Sequence, residues 1–218
     1  MTTKKVLFIA LSINLVFILI GVFVVKAPMQ YFGTEASVIT WLSFFQLLTI
    51  AYFSWKTYKL RKEKSAILWG LIAIGFLFLS IDEVARLHEN MDRFIHKRIF
   101  HMKETALSDR IDDLIIGVYA LFGIGTMWFF RDELKKYYKV IPYFAISFIF
   151  IFSMVIVELI TNRFDVLPYF ISSHSLAKSL YKLGKIVEES LKLFAEGILV
   201  GAFYYCLQLA KQFVTEQK

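Results

Sequence analysis

The chain has 218 residues, 58% of them hydrophobic, and a mean hydropathy of +0.60. Soluble domains are about 45–50% apolar, so this composition excludes an ordinary soluble domain and reads as one membrane-embedded unit over residues 1–218. The net charge of +7 comes largely from basic residues in short loops, with no aromatic-interleaved basic stripe; anionic headgroups and topology account for it, and nucleic acid is excluded as a partner.

Apolar runs of about 20 residues, the length that crosses a bilayer, predict six transmembrane helices. The fold class is therefore an all-α, polytopic membrane helix bundle. The first span covers residues 6–25. Lys4 and Lys5 precede it as they would a signal peptide, but the run is too long for a signal core and Val25-Lys26-Ala27 is a poor cleavage site, so it reads as a retained span. The second covers about 38–55. The third runs from about 66 to 81, and a helical apolar stripe through Val84, Leu87, Met91, Phe94 and Ile95 predicts that it extends beyond the membrane to about 98. The fourth covers about 114–130, with Ser108 as its N-cap and Asp109, Asp112 and Asp113 in its first turn. The fifth covers 140–160. Residues 161–180, with Asn162, Pro168, two consecutive serines and His174, read as a loop. The sixth span covers about 186–205, and it alone carries charge well inside its length.

Orientation follows from the tightest loops. Lys56, Lys59, Arg61, Lys62 and Lys64 join spans 2 and 3, and Arg131, Lys135, Lys136 and Lys139 join spans 4 and 5. The positive-inside rule then places both termini in the cytoplasm of a cell (inner) membrane, with Trp55, Trp69 and Trp128 at the inner helix ends.

Glu196 lies about ten residues inside the sixth span, one turn after Lys192. A charge near the bilayer centre costs roughly 2.5–3.5 kcal/mol on insertion scales, so it needs a partner, an ion or a proton. Lys182, Lys185, Glu189, Lys192 and Glu196 share one face of that helix, and Glu188 flanks them. The plain reading is mutual charge neutralisation; the functional one is a site. On the third helix Asp82, Arg86, Glu89 and Arg93 follow at spacings of four, three and four, either as a salt-bridge ladder or with Arg86 anchoring a substrate carboxylate or phosphate. His88, Asp92 and His96, at i, i+4 and i+8, align possible ligands for zinc, iron or manganese. A better divalent site would draw on several helices, combining Glu83, His88, Glu89, Glu158 and Glu196, although the chain lacks the Glu-x-x-His of helical dimetal centres. Gly197 and Gly201 allow a close helix approach beside Glu196, either inside the bundle against the third or fifth span or across a homo-oligomer.

The segment Ser80-Ile-Asp82-Glu83-Val-Ala-Arg-Leu-His88-Glu89, with Glu158 and the later Glu188-Glu189 and Glu196, resembles a group of small bacterial multi-pass proteins that carry a Ser-x-Asp-Glu-x4-His-Glu signature. That resemblance implies one constellation of Asp82, Glu83, His88, Glu89, Glu158, Glu189 and Glu196. Ser80, Asp82 and His88 are also similar to residue types of the ceramidase-type membrane hydrolases, which build a zinc site from His and Asp near a Ser; the sixth span has glutamates where that superfamily places His-x-x-x-His.

Three functions stay open at this point. One is a metal-dependent membrane enzyme acting on a lipid or apolar substrate, with Glu196 and Glu189 in catalytic roles and Arg86 and Lys192 as anchors. The second is a small proton- or cation-coupled transporter or channel. The third is a non-catalytic subunit stabilised by its charge ladders.

Overall fold

The computed structural model describes residues 1–33, 37–61, 63–100, 111–161 and 167–216, and the described residues form helices without strands. Helix α1 (Thr3–Leu19) starts at Thr2, whose hydroxyl accepts from the Lys5 backbone N–H, and widens into a π-helical stretch over Ile20–Val24. The short α2 (Pro28–Gly33) turns back beneath it, with proline at the first helical position where no N–H is needed. Helix α3 (Val38–Leu60) is capped by Ser37 on the Thr40 N–H and outruns its predicted end. Its last turns carry Lys56 and Lys59, whose ammonium groups lie over the rings of Tyr52 and Trp55.

Helix α4 (Ile67–Ala85) passes into α5 (Leu87–Phe94), which continues as a π-helical stretch over Ile95–Phe100. The third span therefore extends past the apolar segment as predicted, but with a break. Arg86, at φ 50°, is in the left-handed region, a conformation that costs a non-glycine residue about 1–3 kcal/mol. Asp82 holds the break closed. Its carboxylate accepts both the backbone N–H of His88 (2.9 Å) and a hydrogen bond with the His88 ring Nδ1 (2.7 Å), and its carbonyl accepts the Arg86 N–H.

Helix α6 (Ile111–Phe129) is followed by α7 (Arg131–Lys135), a 3-10 turn at Tyr138–Val140, and α8 (Ile141–Thr161). The predicted cap at Ser108 and Asp109 lies outside the described residues. The stretch read as a loop contains the short α9 (Leu167–Phe170) and the start of α10 (His174–Glu216), which Ser173 begins by accepting the Leu176 N–H. The predicted sixth span is thus only the middle of α10. At about 1.5 Å per residue its 43 residues reach roughly 64 Å, twice a hydrocarbon core of about 30 Å. Among the described residues, five helical stretches are long and apolar enough to cross a membrane: Thr3–Val24, Val38–Leu60, Ile67–Ala85, Tyr138–Thr161 and His174–Glu216; α6 adds an apolar run over Gly117–Phe129.

Helix α10 is the axis. Helices α1, α2, α3 and α8 pack on it, α4 packs on α3, and α6 leans on α4 and α5. Its small residues decide how close α1 comes. A Cβ on Gly201 would meet Leu7 at 3.0–3.1 Å, and one on Gly197 would meet the Asn14 amide at 2.6 Å. The close approach anticipated from these glycines is therefore made with α1, within the chain, not with the third or fifth span.

Two apolar clusters result. One, toward the end that carries both termini, gathers Val6, Ile50, Trp69, Tyr137, Leu199, Phe203 and Cys206. The other, toward the opposite end, gathers Ile18, Phe32, Ile39 and Leu193. Trp69 is fully buried and donates its indole N–H to Glu133 (3.3 Å), so it is not the interfacial ring that sequence suggested. Trp55 and Trp128 are exposed, the latter beneath the Arg131 guanidinium.

Candidate functional site

Between the two apolar clusters runs a polar layer. Asn14 of α1 donates to Gln46 of α3 and to the Leu193 carbonyl of α10, and the Gln46 amide donates back to Asn14 (2.8 Å). Ser147 of α8 donates to the Ala195 carbonyl (3.0 Å). These amides and hydroxyls are buried and satisfied, as groups away from water must be. In the same layer Ser43 of α3 donates to Glu196 Oε1 (2.7 Å). Glu196 is 7% exposed, and its second oxygen, Oε2, has no hydrogen-bond partner among the described residues.

One turn and two turns before it on α10 come Lys192 and Glu189. The Lys192 ammonium reaches Glu189 Oε2 (2.7 Å) and crosses to Glu83 Oε1 of α4 (2.9 Å). Glu83, Lys192 and Glu189 are also the charged groups that act electrostatically on Glu196. Three carboxylates thus surround one ammonium. Fully ionised, the group carries two negative charges in excess, in surroundings where each uncompensated charge costs several kcal/mol. The side chains of Lys192, Glu83 and Glu189 are each about one fifth exposed, whereas Glu196 is closed in.

The other expected site residues fall elsewhere. Glu158 acts on Lys185, which pairs with Glu188 (2.9 Å) while Thr161 donates to the same glutamate, forming a second cluster nearer the end of α10. His88 is held by Asp82, and Glu89 joins Arg86 (3.1 Å) and Arg93 (3.0 Å). The predicted Asp82-to-Arg93 ladder is thus cut at its first rung, because the left-handed Arg86 turns its side chain away from the α4 register. The His88, Asp92 and His96 row is divided likewise: His96 pairs with Asp92 (2.9 Å) and His88 with Asp82. Ser80 donates to the Leu77 carbonyl of its own helix. Among the described residues no three His, Cys, Asp or Glu side chains gather as a metal-holding group; of the five expected ligands only Glu83 and Glu196 share a cluster, and His88, Glu89 and Glu158 lie in others. Of the residues singled out from sequence, Glu196, Glu189, Lys192 and Glu83 come together. Asn14, Ser43 and Gln46 were missed, although an amide inside an apolar span is itself a signal of a buried contact.

A third polar cluster closes the end that carries the termini. Glu133 of α7 has no exposed side-chain surface and gathers Arg61 (3.3 Å), Lys136 (3.0 Å), Ser65 (2.9 Å) and Trp69. Burial pushes its carboxyl upward, but the Lys136 and Ser65 hydrogen bonds and the Arg61 charge outweigh burial and hold it below the usual carboxylate range. Arg61 also faces Glu63 and the Phe213 ring, tying the ends of α3 and α10 together.

Neither curated proteins nor solved structures provide a match to this chain. Residues 6–209 match a family described as a domain of unknown function, DUF8692, and the chain belongs to that family.

Proposed function

We propose that this integral membrane protein binds a proton or a small monovalent cation at the centre formed by Glu196, Glu189, Glu83 and Lys192, with Glu196 Oε2 as the acceptor. One observation carries the reading: a buried carboxylate oxygen without a partner, next to a charge group that is two positive charges short. Lys192 already supplies the cation that Glu83 and Glu189 share. A proton or a monovalent ion at Glu196 neutralises that carboxylate and halves the excess, from two negative charges to one. A divalent metal with hydrolytic chemistry has less support, because only Glu83 and Glu196 of the five expected ligands share the centre.

A second reading is favoured by the Lys192–Glu83 bridge, which joins α10 to α4 and would serve a purely structural lock. Infrared difference spectroscopy in lipid nanodiscs separates the two. A pH step on the wild type is expected to produce a protonated-carboxyl band that Glu196→Gln lacks and Glu158→Gln retains, and sodium or potassium that competes for the site shifts it. Identical difference spectra for wild type and Glu196→Gln would leave the structural lock as the function.

A further inference from the structure

The charges of α10 stop abruptly. Lys185, Glu188, Glu189, Lys192 and Glu196 occupy successive turns, about 16 Å of helix, and lead inward from the end opposite the termini. From Gly197 to Ala210, about 21 Å, the helix carries no acid or base of the Asp, Glu, Lys, Arg or His type. Most of this lower segment is buried, with Tyr204, Tyr205 and Gln208 partly exposed. Ile198 to Phe203, Cys206, Leu207, Leu209 and Ala210 are buried. Phe203 is the hub of an aromatic collar, with Trp69 and Phe76 of α4 and Phe144 of α8 edge-on at centroid distances of 6.4, 5.3 and 5.3 Å. Of the nearby hydroxyls, Ser54 and Thr57 donate to carbonyls of their own helix, Tyr204 donates to the Met1 carbonyl, and the buried Tyr137 hydroxyl has no hydrogen-bond partner among the described residues. On the other side of Glu196, Lys192, Glu83 and Glu189 keep about one fifth of their side-chain surface exposed, and Lys185 and Glu188 continue the charged row toward the end opposite the termini.

Resting on the reading of Glu196 as the ion acceptor, we propose that the centre exchanges with only one aqueous phase, the one at the end opposite the termini, and that α10 from Gly197 to Ala210 is a seal. The groups facing Glu196 support this from each packed element. Helix α3 brings Ser43 and Gln46, α1 brings Asn14, α8 brings Ser147 to the neighbouring Ala195 carbonyl, α4 brings Glu83 and α10 brings Lys192 and Glu189; the charged members all lie toward the end opposite the termini. The protein is thereby a one-sided binding centre that reports the proton or cation activity of one compartment, and not a conduit in the conformation described.

Cysteine accessibility tests it. In a Cys206→Ala background, Glu189→Cys, Glu196→Cys and Val200→Cys are placed in proteoliposomes whose orientation is fixed by protease access to a terminal tag. A membrane-impermeant thiosulfonate is then offered from either face. Glu189→Cys and Glu196→Cys are expected to react at least roughly tenfold faster from the face opposite the termini, and Val200→Cys from neither, since reaction needs an accessible thiolate. Reaction of residue 196 or 200 from the terminal face, or no reaction of Glu189→Cys from either face, overturns the proposal. The unmodified chain provides a check that needs no substitution: buried Cys206 is expected to stay unlabelled from the terminal face, and its labelling there would overturn the seal. One-sided labelling without the Glu196 infrared band counts against ion binding alone. Two-sided labelling with the band intact counts against the seal alone.

Discussion

Glu133 and Glu196 are both buried glutamates of one chain, and their neighbours differ. Arg61, Lys136, Ser65 and Trp69 converge on Glu133, so its charge is fully compensated, whereas Glu196 has a single hydroxyl, from Ser43, and an oxygen left over. The first arrangement is what a structural carboxylate requires. Its depressed titration fixes the sign of a pH effect: the stabilisation is complete above the ordinary glutamate range and is lost as pH falls through the lower folded value. Glu133→Gln is therefore expected to cost roughly 1.5–3 kcal/mol at neutral pH, the scale of hydrogen bonds to charged groups. The gap in melting temperature between wild type and variant in detergent should stay constant above about pH 5 and narrow as the medium becomes more acid. A gap that widened on acidification would contradict this account. Sequence could name Glu196, because a carboxylate inside an apolar run is conspicuous in one dimension. It could not name Glu133, which sits in a loop full of lysines and looks solvated until Trp69 and Arg61 fold over it.

At the scale of elements, the apolar runs foretold each of the five membrane-length helices among the described residues, and the deviations in their bounds have local causes. Helix α10 begins well before the predicted residue 186 because polar residues such as Lys182 and Lys185 interrupt hydrophobicity without interrupting helical geometry. The extension of α4 breaks at Arg86 because Asp82 captures the backbone and ring of His88, an alternative to the i, i+4 partner that a continuous helix would have offered. Gly197 and Gly201 have the spacing of a close-packing face, but spacing cannot say which helix will use it; here α1 does. Gly201→Leu should push Leu7 away and lower stability by roughly 1–3 kcal/mol, as overpacking does. Gly123→Leu in α6, where an added Cβ meets nothing within 4 Å, should leave the melting temperature unchanged. Equal effects of the two substitutions would show that α1 is not seated on α10 as described.

The whole molecule is organised around α10, which is buried along its middle, while α6 presents Leu114, Val118, Leu121, Phe122, Ile124, Trp128 and Phe129 outward. Opening α10 requires displacing several helices at once, and opening α6 requires few contacts to be lost. In detergent, amide exchange is expected to be slowest over residues 195–210 and faster over 117–129; the reverse order would mean that α10 is not the structural axis. Composition and hydropathy alone determined that this is a helical membrane protein, since twenty apolar residues in a row have one low-energy solution in lipid, with every backbone group bonded within the helix. They also marked Glu196, Glu189 and Lys192, because ionisable residues in such runs are costly, whereas Glu83, just past the third run, was singled out only as a possible metal ligand. Only the tertiary structure decided which of the charged residues meet. Pairing depends on how α1, α3, α4 and α10 turn their faces toward one another, and that rotation is set by side-chain shape, by Asn14 and Gln46 closing on each other and by α1 settling onto Gly197 and Gly201, none of which a one-dimensional pattern encodes.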